Sequence, residues 1–234
     1  MSRSLRRVAK RLSPKHIISH QSERKIIESF GAEHGLVYFG HVSSSDEYHI
    51  VRGLTTSTSH TDLHYCVGTY QTYDLAFVER SDNLLNTHRK THQQHRWHIM
   101  EFDLKTTAEL PHVFVGSHEY NESFYIELFT KFPELRALNL GTLASYDPQF
   151  LANYRVYGLA SASIAIERIF TPEVAKVITK HFGRLAIEIN HNSLYIYSEH
   201  LKVSHSLLES MLKNGLWLCQ QVDAAAPNLY VSTK

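Results

Sequence analysis

The stretch that decides the fold class is FTPEVAKVITKHFGRLAIEINHNSLYIY, residues 170–197. Thr171 is a good helix N-cap and Gly183 a good terminator, so a helix is predicted between them. Apolar and polar residues then alternate over 185–190, and β-type residues return over 194–197 after a short turn. A helix followed directly by an antiparallel hairpin predicts a protein of the α+β class.

Short runs of strand-forming residues precede this stretch. They are residues 36–39, 48–52, 62–70, 73–79, 97–102 and 113–115. The pair Gln71-Thr72 separates two of these runs and predicts a hairpin turn. Residues 81–94 are polar throughout and are predicted to form a long loop. We therefore expect an antiparallel β-rich N-terminal half followed by mixed helices and a β-hairpin, the two halves sharing one sheet or packing closely.

The C-terminal half carries further helix signals. Asn121 can cap a helix that Pro133 closes, and residues 153–158 have the composition of a strand. The last helix is predicted to open at Ser206, because Glu209 follows at the spacing of a capping box.

Charge divides the chain near residue 25. The first 25 residues hold eight bases and one acid, a net charge of +7, whereas the remainder holds 16 bases and 22 acids, a net charge of −6. We predict a basic amphipathic tail over 1–25, an α+β domain over 26–223 with candidate subdomains 26–110 and 111–223, and a C-terminal tail over 224–234.

The basic tail has the pattern of a surface-binding helix that ends at Pro14. Its candidate contact residues are Arg3, Arg6, Arg7, Lys10, Arg11 and Lys15. An anionic membrane surface is the favoured ligand of this segment. Nucleic acid is less favoured, because the rest of the chain is net acidic. Both compete with the simplest interpretation of this segment, a solvated tail without any partner.

Histidine is abundant, with 17 residues in 234. Alternate residues on a strand line one face, and imidazole and carboxylate are zinc ligands, so two groups are candidate metal ligands. These candidates are His60, Asp62 and His64 in one group and His88, His92 and His95 in the other. The second group would share a face on a helix. The histidines are also expected near loops and strand edges, on a surface that gains charge as the pH falls toward 6.

Other sequence features weigh against catalysis and against a cofactor. Cys66 and Cys219 lie too far apart to suggest a disulfide framework, and both are predicted to be free, buried thiols in a reducing compartment. The sequence holds neither a Gly-x-Ser-x-Gly motif nor a glycine-rich phosphate loop. The N-terminus lacks the apolar core of a secretory signal, and no stretch is apolar enough for a membrane span. We predict a cytoplasmic protein without a cofactor.

Residues 110–222 resemble the C-terminal part of an uncharacterised family of prokaryotic, often membrane-associated proteins that carry a domain of unknown function. The resemblance rests on Leu-Pro-His-Val-Phe-Val at 110–115, Phe-x-x-x-Tyr-x-Val-x-Gly at 150–158, and Phe-Thr-Pro at 170–172. The resemblance implies no activity, cofactor or catalytic residue. Members of that group often have hydrophobic spans, and this sequence departs from them in showing none.

The favoured function is a non-enzymatic binding or scaffold protein of a bacterial cytoplasm. Its extension is peripheral attachment to the cytoplasmic membrane face through residues 3–15, with an anionic membrane surface or a protein as the partner. One alternative is a histidine-dependent metal-binding protein or hydrolase. The second is non-specific nucleic-acid binding through the basic tail. Nothing in the sequence specifies a ligand or an oligomeric state.

Overall fold

A single nine-stranded sheet forms the centre of the computed structural model, which describes residues 14–40, 53, 60–86, 91–120, 122–130, 132–139, 146–199 and 202–230. The strands are β1 (Val37–Gly40), β2 (Thr61–Tyr70), β3 (Tyr73–Asn86), β4 (Thr91–Asp103), β5 (Val113–Ser117), β6 (Arg136–Ala137), β7 (Tyr154–Gly158), β8 (Ala186–Asn190) and β9 (Ser193–Glu199). Their order in the sheet is β1-β2-β3-β4-β9-β8-β5-β7-β6, and every neighbouring pair is antiparallel.

Helices cover both faces of this sheet, and the protein is of the predicted α+β class. The helices are α1 (Pro14–Glu33), α2 (Glu122–Leu128), α3 (Pro148–Asn153), α4 (Ser163–Ile169), α5 (Pro172–His181) and α6 (His205–Ala225). Residues of α1 and α3–α6 share one apolar core with the sheet, whereas α2 belongs to a second core. Among the described helices, none is long and apolar enough to cross a membrane.

Alternation along the strands separates the two cores. Phe77 and Met100 belong to the core that contains α6, whereas their neighbours Val78 and Ile99 belong to the core that contains α2. Successive side chains of a strand point to opposite faces, so the two cores lie on opposite sides of the sheet. We call them the α6 face and the α2 face.

The stretch that decides the fold class forms the predicted elements. The Thr171 hydroxyl accepts a hydrogen bond from the backbone N–H of Val174, which caps α5. The β8–β9 hairpin that follows lies at the centre of the sheet, because β9 pairs with β4 and β8 pairs with β5. This hairpin joins the strands of the two halves, which therefore share one sheet.

The hairpin predicted at Gln71-Thr72 is also confirmed. Tyr70 pairs with Tyr73, and both turn residues have positive φ, 48° for Gln71 and 73° for Thr72. Positive φ at both central residues is the geometry whose twist matches that of the flanking strands.

The long loop predicted over 81–94 is wrong for most of its length. β3 continues to Asn86 and β4 begins at Thr91, with Ser81 paired to Arg96. The two arms satisfy each other's backbone hydrogen bonds, so they form a ladder without an apolar pattern. The strand predicted over 48–52 lies outside the described residues.

The first and last described helices begin at residues that the sequence did not indicate. Pro14 is the first residue of α1, a position that suits proline because its missing N–H has no partner there, whereas the tail helix predicted before Pro14 lies outside the described residues. α1 therefore crosses the predicted boundary at residue 25. At the other end, Ser204 rather than Ser206 caps α6 by accepting a hydrogen bond from the N–H of Leu207.

The chain beyond residue 223 continues the packed domain as far as Leu229. Ala226 and Leu229 are buried, and the Arg168 guanidinium donates to the backbone carbonyls of Asn228 and Leu229. The predicted C-terminal tail is thus part of the core over most of its length.

Candidate functional site

A cavity of about 160 Å³ opens on the α2 face, between α2 and the central strands. Its aromatic lining comes from three strands and from the segment leading into and through α2. These side chains are Trp97, Phe114, Tyr120, Phe124, Tyr125 and Tyr197. We call this the aromatic cavity. An engineered cavity of about 150 Å³ holds one benzene molecule, so the volume here suits a single ring or a short chain.

The aromatic rings support each other around the cavity. Tyr120 stacks on Phe124 with ring centroids 4.4 Å apart, and Trp97 meets Tyr197 edge-on at 6.0 Å. Phe124 also lies 6.4 Å from Trp97, which closes the ring of contacts from α2 to β4. Tyr120 lies just before α2 and Phe124 lies in its first turn, and the stacking of the two rings places both at the same side of the cavity.

A buried histidine–glutamate pair lies beside the aromatic lining. The His95 ring pairs with the Glu199 carboxylate, and their side chains are only 2% and 3% exposed. Tyr120 also donates to Glu199, and burial together with that carboxylate raises the pKa of Tyr120. The phenol therefore stays protonated at neutral pH, and its one O–H is engaged by Glu199.

The mouth of the cavity carries an exposed ion pair. Arg184 Nε lies 3.0 Å from Glu119 Oε1, and the two side chains are 67% and 48% exposed. Such a pair contributes little to stability because water screens it. Both groups are therefore free to rearrange when a ligand approaches.

The indole of Trp97 gives this cavity its unsatisfied polar group. Trp97 is 3% exposed, and its Nε1 has no hydrogen-bond partner among the described residues. A buried donor left unpaired costs about 1–3 kcal/mol, and most buried donors in proteins are paired.

A second polar cluster adjoins the cavity on the same face. The buried Glu188 carboxylate accepts from Tyr197 and pairs with His112 Nε2 at 2.8 Å. Burial and Glu188 raise the pKa of Tyr197. A Cβ on Gly53 would lie 1.7 Å from the Tyr197 hydroxyl, so only glycine fits against this cluster. The cluster fixes the Tyr197 ring that lines the cavity.

The first predicted metal group is only partly brought together. His60 Nε2 lies 3.8 Å from Asp62 Oδ2, but Arg80 already binds that carboxylate through two hydrogen bonds of 2.6 and 2.7 Å. β2 has a register shift between Leu63 and Cys66, and His64 has a φ of 57° there. The bulge breaks the alternation, and His64 Nδ1 contacts the Tyr38 hydroxyl instead.

The second predicted group does not form a helical face. His88 lies outside the described residues, whereas His92 and His95 belong to β4. Within the described part of the chain, the one group whose ligand atoms converge is Glu33, His34 and Glu209. Of the predicted tail contacts, only Lys15 lies within the described residues, in α1.

The expected histidine-rich surface is also corrected. Three histidines that sequence analysis placed near loops and strand edges are buried: His64, His95 and His98. The alternation over 97–102 could have indicated that His98 faces a core. Because residues 81–94 are polar throughout, the sequence did not indicate the strand in which His95 is buried.

The cysteines are free and buried, as predicted. Burial raises the pKa of the Cys66 thiol to about 12 and raises that of Cys219 well above its usual value. Both thiols are therefore protonated at neutral pH and are not poised as nucleophiles.

Comparison with known proteins gives a fold likeness. No family model matches the chain, and no curated protein matches it. The crystal structure of the mycobacterial trehalose monomycolate transport factor A, TtfA, matches with a TM-score of 0.53 at 10% sequence identity. The two folds are alike. The likeness covers 91% of this chain and 98% of TtfA, so it extends over nearly the whole of both.

Proposed function

We propose that this protein is a non-enzymatic binding protein whose ligand enters the aromatic cavity. The observation that carries the proposal is the Trp97 indole, which lines an aromatic cavity and has no hydrogen-bond partner among the described residues. Ligand sites typically combine an apolar lining with a few placed polar groups. The aromatic lining accommodates a ring or short chain of the ligand, and the indole N–H donates a hydrogen bond to an acceptor atom of that ligand.

The likeness to TtfA supports a binding role within a transport process. TtfA is described as a transport factor, and the similarity covers most of both chains. A fold does not by itself imply a function, so the cavity rather than the likeness carries the proposal. The resemblance of residues 110–222 to a membrane-associated family points in the same direction and remains a prediction.

The binding proposal is tested with two small probes and full-length protein. Acetophenone offers a ring with a carbonyl acceptor, and benzene offers the ring alone. Trp97→Phe removes the indole N–H, so it should weaken acetophenone binding about fivefold, the worth of one hydrogen bond of about 1 kcal/mol, and leave benzene binding unchanged. Ligand-observed saturation-transfer NMR measures both affinities.

The second tryptophan provides the matched control. Trp217 lies on α6, in the other core, where its ring packs against Phe182. Trp217→Phe should leave the binding of both probes as in the unmodified chain. Failure of acetophenone to bind, or equal losses for the two probes in Trp97→Phe, would contradict the proposal.

We further propose peripheral attachment to an anionic membrane surface through the basic tail. Each Lys or Arg near a charged leaflet contributes about 1 kcal/mol, and the tail concentrates six such side chains between residues 3 and 15. Attachment through this segment would hold the binding protein at the cytoplasmic face of a membrane. The nucleic-acid and metal-dependent alternatives remain predictions.

Flotation with vesicles containing phosphatidylserine tests the attachment. Changing Arg3, Arg6, Arg7, Lys10 and Arg11 to Gln should abolish flotation at low salt, and high salt should release the unmodified chain. The matched control removes five exposed bases from the body, namely Arg136, Lys176, Lys180, Lys202 and Lys213. If both variants float equally well, net charge rather than the tail governs binding and the attachment proposal fails.

A further inference from the structure

Two histidines and two glutamates meet where the end of α1 approaches the start of α6. His34 Nε2 lies 2.5 Å from Glu209 Oε1, and His205 Nε2 lies 2.9 Å from Glu33 Oε2. The ligand atoms of Glu33, His34 and Glu209 all lie within 4.8 Å of one another. Two short segments of the chain, about 170 residues apart, thus bring three potential ligands together, and His205 adjoins this group through its contact with Glu33.

We propose that these four side chains bind one divalent transition-metal ion, for which zinc is the best match. Zinc takes imidazole nitrogen and carboxylate oxygen in four-coordinate sites. Mg²⁺ and Ca²⁺ prefer oxygen ligands, so they do not favour a site in which two of the four ligands are imidazole nitrogens. Two neutral imidazoles and two carboxylates also carry a total charge of −2, which a divalent ion neutralises.

The surrounding packing holds two of the ligands in place. The His34 side chain is 9% exposed, and its ring lies between Phe30 at 4.6 Å and Tyr70 at 5.0 Å. The ring of Phe30 is also 6.0 Å from that of His205. Packed neighbours of this kind fix the orientation of an imidazole before an ion arrives, which metal sites require.

Both ligands on α6 lie on one side of the helix. His205 and Glu209 are four residues apart, which places them on the same face. Ser204 caps the helix immediately before His205, so the first turn that carries this ligand is well formed.

The remaining adjustment is small and falls on exposed side chains. With metal–ligand bonds of about 2.0–2.1 Å, tetrahedral ligand atoms lie about 3.4 Å apart. The His34–Glu209 pair must open slightly and Glu33 must move inward, and the Glu33 and His205 side chains are 58% and 45% exposed. Lys213 Nζ lies 3.7 Å from Glu209 Oε2, but that side chain is 77% exposed and can swing away.

An ion at this site joins the first described helix of the chain to the last one. Binding energy at a site assembled from two distant segments adds to the stability of the folded chain. It also ties α1, the helix that follows the basic tail, to the body. This inference rests on different residues from the aromatic cavity and stands independently of the proposed function.

The test uses the full chain, purified without a histidine-binding resin and stripped with EDTA. Titration with Co²⁺ should give the visible absorption of a four-coordinate ion with one equivalent bound, and Zn²⁺ should displace it. Zn²⁺ should also raise the melting temperature. Less than one equivalent of Zn²⁺, measured by elemental analysis after dialysis against excess metal, would overturn the proposal.

Three variants distinguish this site from other histidines. His34→Gln and the isosteric Glu209→Gln should each weaken Zn²⁺ binding by about 10–100-fold or more. Loss of a group that only hydrogen-bonds to a metal ligand already has an effect of that size. His181→Gln, at an exposed position at the end of α5, should bind as the unmodified chain does. Circular dichroism confirms that each variant is folded. Unchanged affinity in folded His34→Gln and Glu209→Gln would overturn the assignment.

Discussion

His98 is a fully buried histidine whose surroundings favour the neutral ring. It stacks on Phe77 with the two rings 9° from parallel, and neither ring nitrogen has a hydrogen-bond partner among the described residues. The nearest carboxylate, Glu79, lies 4.0 Å away and is already held by Arg96 through two hydrogen bonds. Burial therefore dominates and lowers the pKa of His98 to about 4.

This lowered pKa predicts a loss of stability in acid. The unfolded chain takes up the proton near pH 6.5 and the folded chain only near pH 4, so the contribution is complete above pH 6.5 and is lost as the pH falls toward 4. The expected loss is about 3 kcal/mol, measured by urea unfolding between about pH 7 and about pH 4.

A comparison of variants isolates this effect from other titrating groups. His98→Asn cannot take up a proton, so its unfolding free energy should fall less steeply across the same pH range. His181→Asn, at an exposed position, should follow the unmodified chain. Parallel pH profiles for His98→Asn and the unmodified chain would show that another group causes the acid sensitivity.

Helix α6 approaches the sheet closely at one glycine. A Cβ at Gly215 would lie 2.2 Å from Cε2 of Phe102, a buried ring on β4 that cannot move without disturbing its neighbours. The absence of a side chain at this position sets the distance between the helix and the sheet. Glycine in a helix interior is otherwise unfavourable, which is consistent with a packing role here.

Gly215→Ala should therefore destabilise the protein in spite of the better helix propensity of alanine. Overpacking of a core costs about 1–3 kcal/mol, more than the gain of about 1 kcal/mol from the propensity. Thermal unfolding measures the difference. Gln220→Ala, at an exposed position on the same helix, should be neutral or slightly stabilising. A Gly215→Ala variant that melts above the unmodified chain would show that the ring relaxes freely.

Elements with strong local signals could be predicted from the sequence, and elements without them could not. Thr171 and Gly183 mark the two ends of α5 through their local chemistry. The alternation of apolar and polar residues after Gly183 specifies the β8–β9 hairpin. The polar arms around 81–94 form strands only because they pair with each other. The sequence indicated Pro14 only as a helix end, and the helix that follows it, α1, is held by packing against the core that no local pattern indicates.

At the scale of the whole molecule, the candidate sites depend on strand order. Trp97 and Tyr197 meet because β9 lies beside β4, and His34 meets Glu209 because α1 and α6 pack on the same face. Neither neighbour relation follows from composition or periodicity. The sequence contained every residue of both sites, and its local patterns placed Tyr197 on a strand, but the contacts between distant segments come from the fold.

The position of the β8–β9 hairpin in the sheet has a consequence for protein synthesis. β4 ends at Asp103, and the strand that pairs with it begins at Ser193, so 90 residues separate the two. At about 5–20 residues per second, a ribosome takes about 5–20 s to deliver the missing partner. During that interval the nascent chain presents β4 as an open strand edge, the kind of surface that recruits other chains. Protection of this edge by a chaperone would therefore matter most between the synthesis of Asp103 and the synthesis of Ser193.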